Sequence, residues 1–192
     1  MRGSKTGRLL QYDPKTEKVA VLARGFWFAN GVSVDKDETH IVIADSFGLS
    51  GASQYHLSGP KAGTLEPLVH SYQLPGFTDG VDCSRENTGP SAGKCYVAVP
   101  AKVLPIMTLL YKIPPPFDRF LRGLLMMLPR WLSPEPEHYG CFAEVDMKTG
   151  EVRIFQDPDA QDMMFVTGVT FHDNKLYLGS LKSDVVGVYD LT

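Results

Sequence analysis

Three segments of this chain share one pattern. Asn30-Gly31-Val32-Ser33-Val34, Asp79-Gly80-Val81-Asp82-Cys83 and Thr167-Gly168-Val169-Thr170-Phe171 each set a polar residue before Gly-Val and then alternate polar with apolar positions. The first two start 49 residues apart, and the third starts 88 residues later, which is one further period plus an insertion. Self-similarity at roughly 40–50 residues is the signature of a β-propeller, in which each repeat is one four-stranded blade. Asn30, Asp79 and Thr167 then hold matching places in successive blades, which makes them the first candidates for chemistry.

The remainder of each period is also β-rich. A turn and a second alternating strand follow each copy, at Thr39 to Ala44, Lys94 to Val99 and Lys175 to Ser180. The outer half of a blade repeats as well, because Leu10-Gln11-Tyr12-Asp13-Pro14-Lys15-Thr16-Glu17-Lys18-Val19 matches Ala143-Glu144-Val145-Asp146-Met147-Lys148-Thr149-Gly150-Glu151-Val152 position for position. Counting these elements predicts an all-β chain, one partial β-propeller domain over residues 1–192: half a blade, two whole blades and most of a fourth. A propeller removes its sheet edges by closing on itself, so three and a half blades starting at an outer strand read as the C-terminal part of a larger ring. Met1 to Ser4 carry no apolar core of a signal peptide and read as a truncated start.

Composition narrows the function. The chain is 43% hydrophobic and 21% charged with a formal net charge of −3, and it has no dense Lys/Arg run or interleaved basic and aromatic platform, which argues against nucleic-acid binding. The three cysteines lack zinc-type spacing. Cys83 and Cys95 fall on strands read as adjacent, where a disulfide and two buried thiols are both open; Cys141 has no evident partner.

Residues 102–138 break the β pattern. Within them Phe117, Phe120, Leu121, Leu124, Leu125 and Leu128 keep the spacing of one helical face, with Asp118, Arg119 and Arg122 on the other and prolines at both ends. One reading is a helical cap packed over the channel mouth. The other is a substrate lid or a membrane-surface contact through residues 103–132, within which the apolar run Val103 to Ile113 is interrupted by Pro105 and is too short to span a bilayer.

Several strings then resemble the strictosidine synthase-like proteins, a group that includes the adipocyte plasma membrane-associated protein. They are Phe28-Ala29-Asn30-Gly31-Val32, Gly59-Pro60-Lys61-Ala62-Gly63-Thr64, Leu74-Pro75-Gly76-Phe77-Thr78-Asp79, Tyr139-Gly140, Asp157-Pro158-Asp159 and His172 through Leu181, in that order. The resemblance implies a six-bladed propeller. Related paraoxonases and gluconolactonase-like calcium proteins hold a divalent metal at the ring centre, with an Asn and an Asp among its ligands. Carried over, those positions match Asn30 and Asp79, and their amide and carboxylate oxygens suit Ca²⁺. Such a metal polarises an ester or lactone carbonyl. The family's further ligands, a first-blade Glu among them, match nothing in this chain.

Thr167 stands where strictosidine synthases keep their catalytic Glu, and a threonine cannot do that acid–base work near neutral pH. The expectation is therefore a metal-assisted hydrolase of small esters or lactones (arylesterase or lactonase type), with Trp27 and Phe28 lining the mouth of the channel, and not a true strictosidine synthase. The partial ring alone is expected to be inactive. A non-catalytic binding or membrane-associated propeller is the other reading. Asp157, Asp159 and Asp162 read as turn-capping residues, and His40, His56, His70, His138 and His172 as structural or solvated, none forming a triad. The family resemblance implies the secretory pathway or a membrane, without deciding between them.

Overall fold

The computed structural model describes residues 5–48, 50–103, 113, 114, 117–127, 129 and 137–191. Strands β1 (Gly7–Asp13) and β2 (Lys18–Phe26) form a two-stranded sheet. Strands β3 (Ala29–Val34), β4 (His40–Asp45), β5 (Ser50–His56) and β6 (Leu65–His70) form an antiparallel four-stranded sheet in chain order. A short strand β7 (Gly76–Phe77) follows, then β8 (Val81–Cys83), β9 (Lys94–Ala98) and β10 (Ala101–Lys102), which pairs with β7. Helix α1 (Phe117–Met126) precedes β11 (Gly140–Asp146) and β12 (Val152–Asp157), and these two complete a second four-stranded sheet in the order β8, β9, β11, β12. The last sheet has three strands, β13 (Val166–His172), β14 (Lys175–Ser180) and β15 (Gly187–Asp190). Apart from the short β7–β10 pair, the sheets of the described residues are the two strands, two blades and three strands that the repeats predict, and the chain is a partial propeller. Of the insertion predicted over residues 102–138, residues 104–112, 115, 116, 128 and 130–136 lie outside the described set.

Period-two alternation assembles the blades. On β9, Cys95 and Val97 face one way and pack with Val42, Ala52, Val69 and Ala143, while Tyr96 and Ala98 face the other way and pack with Phe142, Val169, Phe171 and Leu176. Both faces of this strand are covered by neighbouring blades, which is why Lys94-Cys95-Tyr96-Val97-Ala98-Val99 reads as a nearly unbroken apolar run. A smaller cluster of Leu9, Phe26, Ile43 and Tyr55 joins the β1–β2 hairpin to the next blade.

The outer-hairpin repeat has a shared turn chemistry. Asp13 accepts the Lys15 N–H at 2.8 Å and Asp146 accepts the Lys148 and Thr149 N–H groups at 2.9 Å each. The matched residues Glu17 and Gly150 both take left-handed φ, 55° and 71°. Asp173 and Asn174 are left-handed together, as a two-residue primed hairpin between β13 and β14 requires. Cys83 sits directly opposite Cys95 in the β8–β9 register and the two form a disulfide, while Cys141 is a buried free thiol.

Candidate functional site

The three Gly-Val copies meet blade to blade at the starts of their inner strands. The Gly31 N–H donates to the carbonyl of Asp79 at 3.0 Å, and the Gly80 N–H donates to the carbonyl of Thr167 at 2.9 Å. The same bond therefore recurs at two successive junctions. It demands glycine: a Cβ on Gly31 would lie 2.5 Å from the Asp79 oxygen and the Val81 nitrogen, and one on Gly80 would lie 2.7 Å from the Thr167 oxygen.

A second recurring bond lies three residues further along. The Cys83 N–H donates to Ser33 Oγ at 3.1 Å, and the Phe171 N–H donates to Asp82 Oδ2 at 2.9 Å. Ser33 Oγ also donates to Asp82 Oδ1 at 3.0 Å, so the Asp82 carboxylate touches three blades. Sequence reading assigned no role to this residue. Its one available signal is its place in the repeat, aligned with Ser33 and Thr170.

With their backbones committed to neighbours, the side chains at the first repeat position are left for other contacts. Asn30 and Asp79 converge: the Asn30 amide stands close enough to the Asp79 carboxyl to act on its ionisation, and it donates to Ser46 Oγ at 3.3 Å. Burial pushes the Asp79 carboxyl above its ordinary value, against the opposing effect of the Asn30 hydrogen bond. Thr167 is half-buried and meets the other two through its carbonyl and Gly80.

Residues close in sequence to this pair form an aromatic row. Phe28 is 40% exposed and its ring meets Phe47 edge-on at 5.6 Å; Phe47 meets Phe77 edge-on at 5.1 Å. Asp45, only 4% exposed, holds this region by accepting the Phe28 N–H at 2.7 Å and the Trp27 N–H at 3.1 Å. Burial raises the Asp45 carboxyl despite these bonds and the nearby Lys5 charge. Trp27 is half-buried, with the Lys5 ammonium 5.7 Å from its ring centroid. Asp45, Phe47 and Phe77 were missed in the sequence, where each reads as an ordinary turn or strand residue.

The histidines lie elsewhere. His40 is directly opposite His56 in the β4–β5 register, their rings 4.7 Å apart, with His40 bonded to Asp35 at 2.9 Å and His56 to Glu66 at 3.2 Å. This cluster stands at the end of the blade away from Asn30 and fastens strands together. A cleft of about 120 Å³ between the third and fourth blades, lined among others by Tyr96, Glu144, Arg153 and Tyr189, holds none of the candidate residues.

An amide and a carboxylate side by side are hard oxygen donors and fit Ca²⁺ better than a softer metal. Ligation requires the Asn30 amide to turn over, so that Oδ1 replaces Nδ2. Among the described residues no group of three or more His, Cys, Asp or Glu is arranged to hold a metal, so Asn30 and Asp79 amount to two donors of a larger set.

Known proteins match this chain along nearly its whole length. Residues 1–60 match the family model described as strictosidine synthase. Strictosidine synthase-like 10 of Arabidopsis thaliana is 31% identical over 97% of this chain and 48% of its own, and the adipocyte plasma membrane-associated protein of Salmo salar is 29% identical over 100% and 44%. The chain thus spans about half the length of these curated relatives. Among solved structures, a luciferin-regenerating enzyme superposes with a TM-score of 0.57 at 18% identity, over 94% of this chain and 46% of that one. The calcium-binding protein regucalcin of Agrobacterium tumefaciens superposes with a TM-score of 0.54 at 14% identity, over 94% and 48%. At such identities these two carry the fold alone. With its repeated blades and these matches, the chain is a partial propeller similar to the strictosidine synthase-like proteins along nearly its whole length.

Proposed function

We propose that this chain supplies one wall of a metal-assisted ester or lactone hydrolase, in which Asn30 and Asp79 are oxygen ligands to Ca²⁺. The observation that carries the reading is the convergence of those two side chains at equivalent strand starts of neighbouring blades. That a structural neighbour is a calcium-binding protein is in keeping with it. When bound, the ion supplies a Lewis acid for the carbonyl oxygen and the negative charge that develops there. The protein's own part is positional. The Gly31–Asp79 bond fixes the separation of the two ligand-bearing strands. Phe28, Phe47 and Phe77 offer apolar edges to the organic part of a substrate, and the half-buried Trp27 flanks them. Thr167 has no group that titrates near neutrality, so the reaction that gave the family its name is not assigned to this chain.

Calcium titration of the thermal midpoint tests the ligands. A ligand bound only by the folded state at a hundredfold over its dissociation constant adds about 2.7 kcal/mol, so saturating Ca²⁺ is expected to raise the midpoint by several degrees. The rise should vanish in Asn30→Ala and Asp79→Ala. Equal shifts in wild type and both variants, or no shift at all, remove the metal from the proposal. Hydrolysis of aryl esters and lactones by the complete ring, with rates that survive both chelator and Asp79→Ala, removes the mechanism.

A further inference from the structure

We infer that the cleft between the third and fourth blades is a binding site for a neutral polyhydroxyl molecule of about sugar-ring size. One wall of the cleft is a cross-strand row. Tyr96 on β9 is directly opposite Glu144 on β11, and Glu144 is directly opposite Arg153 on β12, so the three lie side by side on the face turned toward the last sheet. Tyr189, Asp190 and Leu191 line the other wall, and Ser91 stands at the end beside the β8–β9 connection. Asp79 lies at the other end of these strands, where its N–H donates to the Ala98 carbonyl, so the cleft is separate from the proposed calcium ligands.

Two groups in this row have bonding capacity to spare. Tyr96 is fully buried, and its hydroxyl has no hydrogen-bond partner among the described residues. Ser91 and Glu144 stand close enough to act on its ionisation without completing a bond, and the Ser91 hydroxyl is given to Asn174 Oδ1 at 3.3 Å. Burial pushes the Tyr96 pKa up to about 12, so the hydroxyl keeps its proton and can donate it. A buried hydroxyl without a partner destabilises the fold and calls for a water or a ligand. Glu144 is only 5% exposed, yet its bond from Arg153 is long at 3.4 Å, and Lys94 is 3.8 Å away and closer to Asp146, at 2.9 Å. A carboxylate accepts about four hydrogen bonds, so Glu144 can take donors that enter the cleft.

Chemistry and charge select the occupant. A hydroxyl accepts from a phenol and donates to a carboxylate at the same time, which suits Tyr96 and Glu144 as neighbours in one row. A second hydroxyl can accept from Arg153, whose side chain is 64% exposed. The acids Glu144, Asp146 and Asp190 are matched by Lys94, Arg153 and Lys175, with Lys175 3.7 Å from Asp190, so no unmatched charge calls for a charged ligand. Phe155 and Tyr189, edge-on at 5.4 Å, supply an apolar wall for the C–H groups of a ring. The volume of about 120 Å³ is far more than one water fills and approaches the roughly 150 Å³ that houses a six-membered carbon ring.

Saturation-transfer NMR on the whole chain tests this, in chelator so that calcium plays no part. The probes are methyl α-glucopyranoside, methyl α-galactopyranoside, methyl α-mannopyranoside and myo-inositol. At least one is expected to bind saturably with a Kd of about a millimolar. Tyr96→Phe keeps the ring stacked on Phe171 and removes only the hydroxyl. It should weaken binding about fivefold and leave the thermal midpoint of the sugar-free chain unchanged or higher, because the lost hydroxyl has no partner. Glu144→Gln should weaken binding about tenfold or more; should that variant fail to fold, Tyr96→Phe carries the test alone. No saturable binding by any of the four probes, binding untouched by Tyr96→Phe, or a lower midpoint in that variant overturns the inference. So does tighter binding of glucuronate or glucosamine, which would assign the cleft to a charged ligand.

Discussion

Changing each repeat glycine to alanine separates blade-to-blade packing from any need within the strand itself. A Cβ on Gly31 falls 2.5 Å from two backbone atoms of the next blade and 2.8 Å from a third. On Gly80 the closest approaches are 2.7 and 3.2 Å, again to backbone. Carbon contacts settle at about 3.5–4.0 Å, so the blades must part by on the order of an ångström, because no side chain can rotate away. Parting them also stretches the 3.0 Å Gly31–Asp79 bond and the 2.9 Å Gly80–Thr167 bond. Overpacking costs about 1–3 kcal/mol and the weakened hydrogen bond about 1 more, giving about 2–4 kcal/mol for Gly31→Ala and somewhat less for Gly80→Ala.

Gly168 behaves differently. A Cβ added there would find nothing closer than 3.8 Å among the described residues, where the backbone of Gly179 makes ordinary contact, and its φ is outside the left-handed region. Alanine there restricts the unfolded chain and adds about 0.4–1 kcal/mol of stability. At about 2–4 °C per kcal/mol for a chain of this size, thermal denaturation should show a fall of roughly 4–16 °C for Gly31→Ala and a rise of no more than a few degrees for Gly168→Ala. Three equal displacements would refute the reasoning and assign the glycines to the needs of their own strands.

Asp82→Ala leaves the Phe171 N–H and the Ser33 hydroxyl without their acceptor, and should cost about 2–4 kcal/mol in urea denaturation; a loss under about 0.5 kcal/mol would show that the three-blade contact is incidental. Asp79→Asn should stabilise the metal-free chain at pH 7. Burial raises the folded Asp79 pKa above the ordinary 3.8, so the charged form is penalised in the fold at higher pH. That penalty shrinks as pH falls through the folded value and is gone below the unfolded one. The gain over wild type should therefore be present at pH 7 and absent near pH 3, and a pH-independent difference between the two midpoints would refute it.

The blades were legible because their signals are local. Gly-Val spacing, the Asp-led hairpin turns and period-two alternation each report on a few neighbouring residues, and the sheet order follows from them. What stayed hidden depends on register and on contacts across blades. Cys83 and Cys95 could be read as a disulfide or as two thiols until the β8–β9 register set them opposite each other. His40 and His56 read as separate structural or solvated residues because 16 residues lie between their positions, yet the β4–β5 register makes them a cross-strand pair. Asp45 and Asp82 are acids in strands with no sequence neighbour to betray their partners; those partners lie 17, 49 and 89 residues away. Phe47 and Phe77 join Phe28 only when the loops of two blades are brought together.

The division of labour within the repeat explains why its first position is free to vary. At the second position of the first two copies, Gly31 and Gly80, the N–H and the missing side chain are consumed by the neighbouring blade, so the residue there must be glycine. The fourth position supplies the acceptor for the next blade's N–H, which Ser33 and Asp82 both provide. At the first position these junction bonds use backbone groups, the carbonyls of Asp79 and Thr167 and the Asp79 N–H, which donates to the Ala98 carbonyl at 2.9 Å, and the side chain is not needed for them. Asn30, Asp79 and Thr167 can therefore differ without disturbing these bonds, and the Asn30 and Asp79 side chains come together because the glycine beside Asn30 allows the two blades so close. Closeness of the backbones is the structural requirement, and the Asn30–Asp79 junction on which the proposed calcium site rests is one that this closeness creates.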